Sequence, residues 1–435
     1  MTNVSPLPLT LRAWRFLVAA RMVVAIYAGY KALQLWGALT GRSNEREYWD
    51  RQHRRSALLL RRTAIQLEGL LIKVCQFAGA RADVLPSIWV EILSELHDRV
   101  PPRPYSVIGP WLEAQLGRPI EECFAEIDER PIASASLAQV HRGRLHDGRH
   151  VAIKIQYPAI SRIVATDLAN FTFFVNALAK IERRFDLRLV LKEIRELIPL
   201  ELDFVNEAAN ARKFTANFRN DPSVRFPEPY DELTCPTVLT MSYMDGVKIS
   251  DVQALEREGI DKHAVAQLLT RTYMRQILQH GFFHGDPHPG NLLVQPGPVL
   301  VILDLGLAKE FSINARIGIV KLAAAIAARD ARAIGQAFRD LGFETRSGGD
   351  DTFVTIGELF LGQALQAGRA YADVAMVERI AEELTTALRE NPLVRASSDL
   401  LLVLRVIGLL SGLGKQLDSR VDPLAEMMPF LLKAS

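Results

Sequence analysis

The sequence predicts an α+β fold in two lobes, a small mixed lobe followed by a larger helical one, with a helical segment ahead of both. Three observations carry this expectation. Strand-like runs gather in the middle of the chain, at Ala138–Arg144, His150–Gln156, 224–226 and 237–243. After Gly246 the chain reads as helix almost throughout, broken by a loop over 281–291 and two short runs at 292–294 and 299–303. At 435 residues, 49% of them apolar, it is also too long for a single growing core.

The elements follow in order. Residues 14–38 are mostly apolar, yet Arg21 and Lys31 interrupt them, and the uncharged stretch 22–30 falls short of the roughly 20 residues of a spanning helix. The expectation is a helix lying in or against a membrane surface, with Arg12, Arg15, Arg21 and Lys31 reaching anionic headgroups. The basic stretch 42–62 would add about 1 kcal/mol per charge near a bilayer. A helix packed on the body and a tilted span are the other two readings. Residues 56–79 read as one long helix, with Leu58, Leu59, Ile65, Leu67, Leu70, Leu71 and Val74 at helical spacing. The turn Val100-Pro101-Pro102-Arg103-Pro104 closes it. The turn His146-Asp147-Gly148 makes a hairpin of the first two strands, Pro158 ends the second, and helices are expected over 160–184 and, as one charged amphipathic element, over 189–218. Four segments result: an apolar and basic arm at 1–45, a helical extension at 46–128, a small mixed lobe at 129–245 and a helical lobe at 246–435.

Composition excludes some functions. A formal charge of +2 argues against a nucleic-acid binder with one strongly basic face. Cys75, Cys123 and Cys235 are odd in number and lack C-x-x-C spacing, so neither a disulfide framework nor a zinc site is expected. A reducing compartment follows, the cytoplasm or the cytoplasmic side of the inner membrane. No cleavable signal peptide is evident.

The chemistry concentrates in two segments. In His284-Gly285-Asp286-Pro287-His288-Pro289-Gly290-Asn291, Asp286 and Asn291 stand as in the loop H-x-D-x-x-x-x-N, and Val301-Ile302-Leu303-Asp304-Leu305-Gly306 ends an apolar run in Asp-x-Gly. Phosphoryl transfer asks for a carboxylate to orient the acceptor, oxygen ligands for magnesium and a cation on the phosphates. Asp286 supplies the first, and Asp304 with Asn291 the second. Upstream, Val151-Ala152-Ile153-Lys154 places a lysine on a strand for the α- and β-phosphates. Its carboxylate partner is open at this point: Asp203 and Glu207, four apart, share a face, and Glu201 lies at another azimuth. The rival reading is a metal-dependent hydrolase in which His284, Asp286 and His288 hold the metal.

The segment Phe283 to Asn291 closely resembles the H-x-D-P-H-P-G-N loop of the UbiB (aarF-domain) atypical kinases, and the resemblance runs from about Leu71 to about Pro423. It implies a protein-kinase-like fold and a Mg2+-dependent ATP/ADP site. Lys73-Val74-Cys75-Gln76 looks like the family's K-x-G-Q motif, followed by Arg81-Ala82-Asp83-Val84-Leu85-Pro86, and the resemblance implies that Lys73 and Gln76 face the nucleotide site. The segment Pro131-Ile132-Ala133-Ser134-Ala135-Ser136-Leu137-Ala138-Gln139-Val140 is similar to the alanine-rich loop that replaces a glycine-rich one, which implies nucleotide contact by Ile132, Ala133, Ser134, Ala135, Ser136 and Val140. Glu201 and Asp203 match the family's E-x-D pair, Glu207 the glutamate that pairs the strand lysine, and Met241-Ser242-Tyr243-Met244-Asp245-Gly246 the hinge. Three positions depart from the pattern: Cys75 and Ala138 for glycine, and Leu305 for phenylalanine. The resemblance further implies a part in isoprenoid lipid or ubiquinone biosynthesis, with isoprenoid lipids or lipid-biosynthetic enzymes as partners. A nucleotide-binding scaffold without turnover is the alternative. The family's C-terminal transmembrane helices are not expected here, because 400–413 contains Arg405 and reads as a buried helix.

Overall fold

The computed structural model describes residues 6–41, 45–79, 86–97, 101–181, 188–347, 352–355, 391, 393–395, 398–419, 421 and 423–434. The Arg81-to-Leu85 part of the expected motif and Val100 lie outside them. Two compact units make up the chain, Met1–Ala208 with Pro229–Tyr243 and Ala209–Glu228 with Met244–Ser435.

The first unit opens on α1 (Leu9–Thr40), which carries four cations and no acid and ends at Gly41 in the left-handed conformation. One side of it packs on the body. Arg15, expected at a membrane surface, is instead 4% exposed and forms a two-pronged ion pair with Asp167, Nε to Oδ1 at 2.8 Å and Nη2 to Oδ2 at 2.6 Å. Phe16 packs beside Phe173 and Phe174 at 5.6 and 5.2 Å. The opposite stripe, Leu17, Val24, Leu35 and Leu39, stands in the open.

The long helix expected over 56–79 is two helices, α2 (Arg46–Leu67) and α3 (Leu70–Gly79). Glu68 and Gly69 both take positive φ, 55° and 63°, which stops the helix although the apolar spacing runs on. A side chain at Gly69 would also meet Ile163 Cγ2 at 3.0 Å. α3 packs with α4 (Ser87–Ser94) around Ala64, Ile72, Cys75, Leu93 and Leu96. Cys75 is wholly buried there, and burial pushes its thiol up. The bulk it adds in place of glycine is therefore absorbed by an apolar core. A polar cluster joins α1, α2 and α4: Tyr30 Oη and His53 Nδ1 are 2.6 Å apart, and Trp89 Nε1 donates to the Tyr30 hydroxyl at 3.3 Å.

Beyond α5 (Tyr105–Leu116) and α6 (Ile120–Cys123) comes an antiparallel sheet. Its strands are β1 (Glu126–Ile127), β2 (Ala133–Ser134), β3 (Ala138–Arg144), β4 (His150–Gln156) and, after β5 (Val224–Arg225) of the second unit, β6 (Val238–Ser242). The order is β1-β3-β4-β6, with β2 on β3. On β4, Val151, Ile153 and Ile155 alternate into one core with Ile108, Leu112 and Val238.

Helix α7 (Ile160–Ile181) follows β4. The single amphipathic helix expected over 189–218 is again two, α8 (Arg188–Glu201) and α9 (Phe204–Phe218). Pro199 removes a donor from the last turn of α8. Asp203 then starts α9 afresh: its Oδ1 accepts from the Val205 and Asn206 amides at 3.1 and 3.4 Å. Asp203 and Glu207 thus do not share a helix face. The first is an exposed cap and the second is 3% exposed.

In the second unit, β5 pairs in parallel with β10 (Val299–Ile302), which lies against β9 (Leu292–Gln295), itself paired with β7 (Val247–Lys248). The expected loop at 281–291 contains a further strand, β8 (Phe282–His284), paired with β11 (Ala308–Glu310). Helices α10 (Val252–Arg257) and α11 (Lys262–Met274) precede a π-helical turn at Arg275–His280, closed by Gly281 at φ 62°. Among the described residues, α12 (Ile313–Ala327), α13 (Ala331–Asp340), α14 (Ser398–Gln416) and α15 (Pro423–Ala434) follow. Leu402, Val403, Val406 and Leu413 sink α14 into the core, while Arg405 lies among side chains outside the described set.

Two stability outcomes follow. Arg15→Ala would leave the Asp167 carboxylate buried and unpaired, at a cost of about 3 kcal/mol, read as a lower urea midpoint with faster amide exchange along α1. An unchanged midpoint would remove the pair from any role in docking α1. His280 is held down to about 4 by burial, then by Arg275 and Arg316. The folded chain keeps it neutral while the unfolded chain takes up a proton near pH 6.5. Its contribution is therefore present above pH 6.5 and lost as pH falls toward 4. In urea titrations, His280→Gln should lose less stability than wild type between pH 7 and pH 4.5.

Candidate active site

On the first unit the site grows from the register of three strands. Residues facing one another across neighbouring strands share a face. Lys154 on β4 lies opposite Val140 on β3 and Leu239 on β6, and Ala152 opposite Met241. That face of the sheet therefore carries Val140, Ala152, Lys154, Leu239 and Met241, and Ala138, Phe204 and Ala208 belong to the same cluster. Around Lys154 that face is apolar, while Arg142, opposite Ala152, lies exposed on it over the Tyr243 ring. Lys154 is not a solvated edge residue, because β4 is flanked on both sides.

The carboxylate that spacing alone left open, and that the family resemblance gave as Glu207, comes from α9. Glu207, in its first turn, places Oε1 and Oε2 at 2.9 and 2.8 Å from Lys154 Nζ. Both side chains are nearly buried, 14% and 4% exposed. The Phe204 ring lies beneath the ammonium, 5.0 Å from its centroid, a contact sequence reasoning missed. Its signal was an aromatic at the first position of α9.

The alanine-rich segment folds back on β3. Ala133 pairs with Val140 and Ser134 with Gln139, and the Ile132 and Ala135 amides donate to the Val140 and Ala138 carbonyls, both at 2.8 Å. Ile132, Ala133 and Ala135 are exposed, Ser134 is half-buried with Oγ 2.7 Å from Tyr157 Oη, and Ser136 is buried. Ala138, in place of glycine, packs into the apolar cluster beside Ala152. On α3, Lys73 Nζ meets Glu201 Oε2 at 2.8 Å, so one motif lysine and one E-x-D acid are joined. Asp203 caps α9 instead. The Gln76 side chain lies outside the described residues.

The second unit holds Met244, Asp286, Asn291 and Asp304. The main chain does the positioning. The Asp286 carbonyl accepts from the His288 amide at 2.7 Å and from Asn291 Nδ2 at 3.3 Å. Asn291 in turn accepts at its carbonyl from the Leu303 amide at 2.9 Å, which ties the loop to the segment carrying Asp304. Gly285 donates to the Leu307 carbonyl at 2.8 Å, and the Gly306 amide donates to Asp304 Oδ1 at 3.2 Å. Asn210, 9% exposed, donates from Nδ2 to the Leu305 carbonyl at 2.9 Å. Sequence reasoning missed it, although it stands three residues after Glu207 on the same helix. Asn291 and Asp304 offer hard oxygen donors of the kind magnesium takes, one or two from protein and the rest from phosphate and water.

The hydrolytic metal cluster does not form. Among the described residues no three His, Cys, Asp or Glu side chains are grouped to hold a metal. His284 Nδ1 is 2.9 Å from the buried Tyr273 hydroxyl, the His284 amide donates to Gln276 Oε1, and His288 Nδ1 accepts from the Gly290 amide at 3.2 Å. The two imidazoles serve the loop's own architecture. Burial, then the charge of Asp286, drives the Tyr273 phenol well above its ordinary range, so it stays protonated.

Comparison with known proteins identifies the family and the fold. Residues 95–338 match the family model of the ABC1 atypical kinase-like domain. The protein ACTIVITY OF BC1 COMPLEX KINASE 7, chloroplastic, of Arabidopsis thaliana is 31% identical over 96% of this chain, and the match spans 59% of that relative's length. AarF domain-containing protein kinase 1 of Xenopus tropicalis is 37% identical over 65% of this chain and 55% of its own length. Among solved structures, the Rv3197–erythromycin complex of Mycobacterium tuberculosis superposes with a TM-score of 0.58 at 24% identity, covering 81% of this chain and 89% of that one, a likeness of fold. The chain thus spans under two thirds of the length of these two eukaryotic relatives. With the family model covering more than half of it, this chain belongs to the ABC1 atypical kinase-like family, the UbiB/aarF group, and has the kinase-like fold.

Proposed function

We propose that this chain binds a magnesium-bound nucleoside triphosphate, ATP in the first instance, and transfers its terminal phosphoryl group or hydrolyses it. The observation that carries the reading is the nearly buried Lys154–Glu207 pair set among the apolar side chains of Val140, Ala152, Leu239 and Met241. A cation fixed among apolar side chains suits a base beside phosphates. Lys154, held by Glu207, would take the α- and β-phosphates. Val140, Met241 and Met244 would line the base, and Ile132, Ala133, Ser134, Ala135 and Ser136 would form the loop over the phosphates. Side-chain methyls on that loop limit how closely backbone amides approach phosphate.

Asp286 would orient the attacking oxygen, of water or of an acceptor hydroxyl. Asn291 and Asp304 would hold magnesium, which when bound neutralises charge on the phosphate oxygens. Lys73, Gln76, Glu201 and Asp203 would tie the extension to this site, a reading supported by the Lys73–Glu201 ion pair. Family membership supports a role in isoprenoid lipid or ubiquinone biosynthesis, with a lipid or a lipid-biosynthetic enzyme as partner.

The open stripe of α1, with Arg12, Arg21 and Lys31 besides the inward Arg15 and no acid on the helix, supports contact with an anionic bilayer surface. The helix is long and apolar enough to cross a membrane, with a mean hydropathy of 1.5 in its most apolar window. Its ion pair through Arg15 favours lying along the surface, peripheral to the inner membrane.

Asp304→Asn should lower magnesium-dependent phosphate release by about 100-fold or more. Unchanged release would remove the assignment. Lys154→Ala should weaken the thermal shift given by Mg-ATP. A wild-type chain that shifts with Mg-ATP yet releases no phosphate, with or without candidate acceptors, would identify the scaffold instead. For the membrane, wild type should float with vesicles containing phosphatidylglycerol and not with neutral ones, and Leu17→Glu with Val24→Glu should stay behind. Equal flotation of both forms would sink the α1 assignment.

A further inference from the structure

Ser134 is connected to the helical extension by contacts that the reading above does not use. Gln139, fully buried on β3, grips the main chain of Arg103 in the proline-rich turn. Its Oε1 accepts from the Arg103 amide at 2.9 Å, and its Nε2 donates to the Arg103 carbonyl at 3.2 Å. The same Nε2 donates to His141 Nε2 at 2.8 Å, while His141 Nδ1 donates to the Asp128 carbonyl at 2.8 Å. Both hydrogens and the oxygen of the amide are engaged, so its orientation is determined. Burial keeps His141 below its ordinary range, hence neutral, as an accepting Nε2 requires.

From this anchored backbone the Arg103 guanidinium reaches two ways. Nη2 pairs with Glu68 Oε2 at 3.1 Å, at the break between α2 and α3. The guanidinium carbon lies over the Tyr157 ring, 4.8 Å from its centroid. Tyr157 is 3% exposed, and its hydroxyl is the partner of Ser134 Oγ in the alanine-rich loop. The Glu68 pair is partly exposed and therefore weak. The links made by the buried Gln139 to Arg103 and by the buried Tyr157 to Ser134 are the firmer ones.

We propose that Arg103 is a positioning residue for the alanine-rich loop, coupling the α2–α3 break to Ser134 through Tyr157 and so setting how tightly the loop closes on a nucleotide. The coupling would make the family extension a control element for nucleotide affinity. The proposal rests on reading this loop as nucleotide-binding, so the test has an arm that needs no nucleotide.

Amide hydrogen exchange of the full, nucleotide-free chain would compare wild type with Arg103→Lys, Tyr157→Phe and the double variant. Tyr157→Phe keeps the ring under the guanidinium and removes only the hydroxyl. Each single variant should speed exchange at the Ile132 and Ala135 amides about fivefold, the size of one lost hydrogen bond. The double variant should be no faster than the faster single one, because both act through one path. In the second arm, each should raise the KM for ATP by a similar factor with kcat changed less than about twofold. Unchanged exchange in the single variants, or additive effects in the double, overturns the coupling. If wild type binds no nucleotide, the nucleotide reading fails, and the exchange arm still decides whether Arg103 controls the loop.

Discussion

The structure of the candidate site depends on an ammonium and a carboxylate held together away from water. Lys154 and Glu207 are both nearly buried, and either one alone in that place would cost several kcal/mol. The neighbouring elements are arranged to prevent this. β4 carries the lysine between two partner strands, so its alternation cannot slip without sending Val151, Ile153 and Ile155 to the wrong face. Asp203 fixes the start of α9 and with it the helical phase that turns Glu207 toward the sheet. The carboxylate also sits in the first turn, where the helix dipole favours negative charge.

The second unit uses a different device. Asp286, Asn291 and Asp304 stand on segments whose backbone groups bond to one another, Leu303 to Asn291 and Gly285 to Leu307. Positions set by main-chain bonds tolerate variation in the intervening side chains, which is how Leu305 can stand where the motif it resembles has phenylalanine. Leu305 is buried, and its carbonyl is held by Asn210. The imidazoles that suggested a metal site by spacing alone are part of the same internal bracing, His284 against Tyr273 and His288 on its own turn.

The helical extension is braced rather than appended. Its break at Glu68 and Gly69 lets α3 turn its apolar side to α4, where Cys75 is buried, while Lys73 reaches Glu201. Cysteine stands at position 75 where the motif it resembles has glycine. In the fold it is one more apolar side chain in a packed core.

Much was legible before any coordinates. The hairpin Ala138–Arg144 and His150–Gln156 was readable to the residue, since alternation and an Asp-Gly turn coincide there. Helix ends were less so: the apolar spacing through Glu68 and Gly69 and through Leu202 and Asp203 is continuous, and only backbone dihedrals and a side-chain cap interrupt it. The sequence by itself determined the kinds of residues available, an acid and an amide in one loop, an acid after a strand, and a lysine on another, because local spacing expresses local geometry. Which carboxylate meets Lys154, that Arg15 turns inward to Asp167, and that Cys75 is core were decided by tertiary structure alone. Those are contacts across 53 and 152 residues, and among helices whose packing no local pattern encodes.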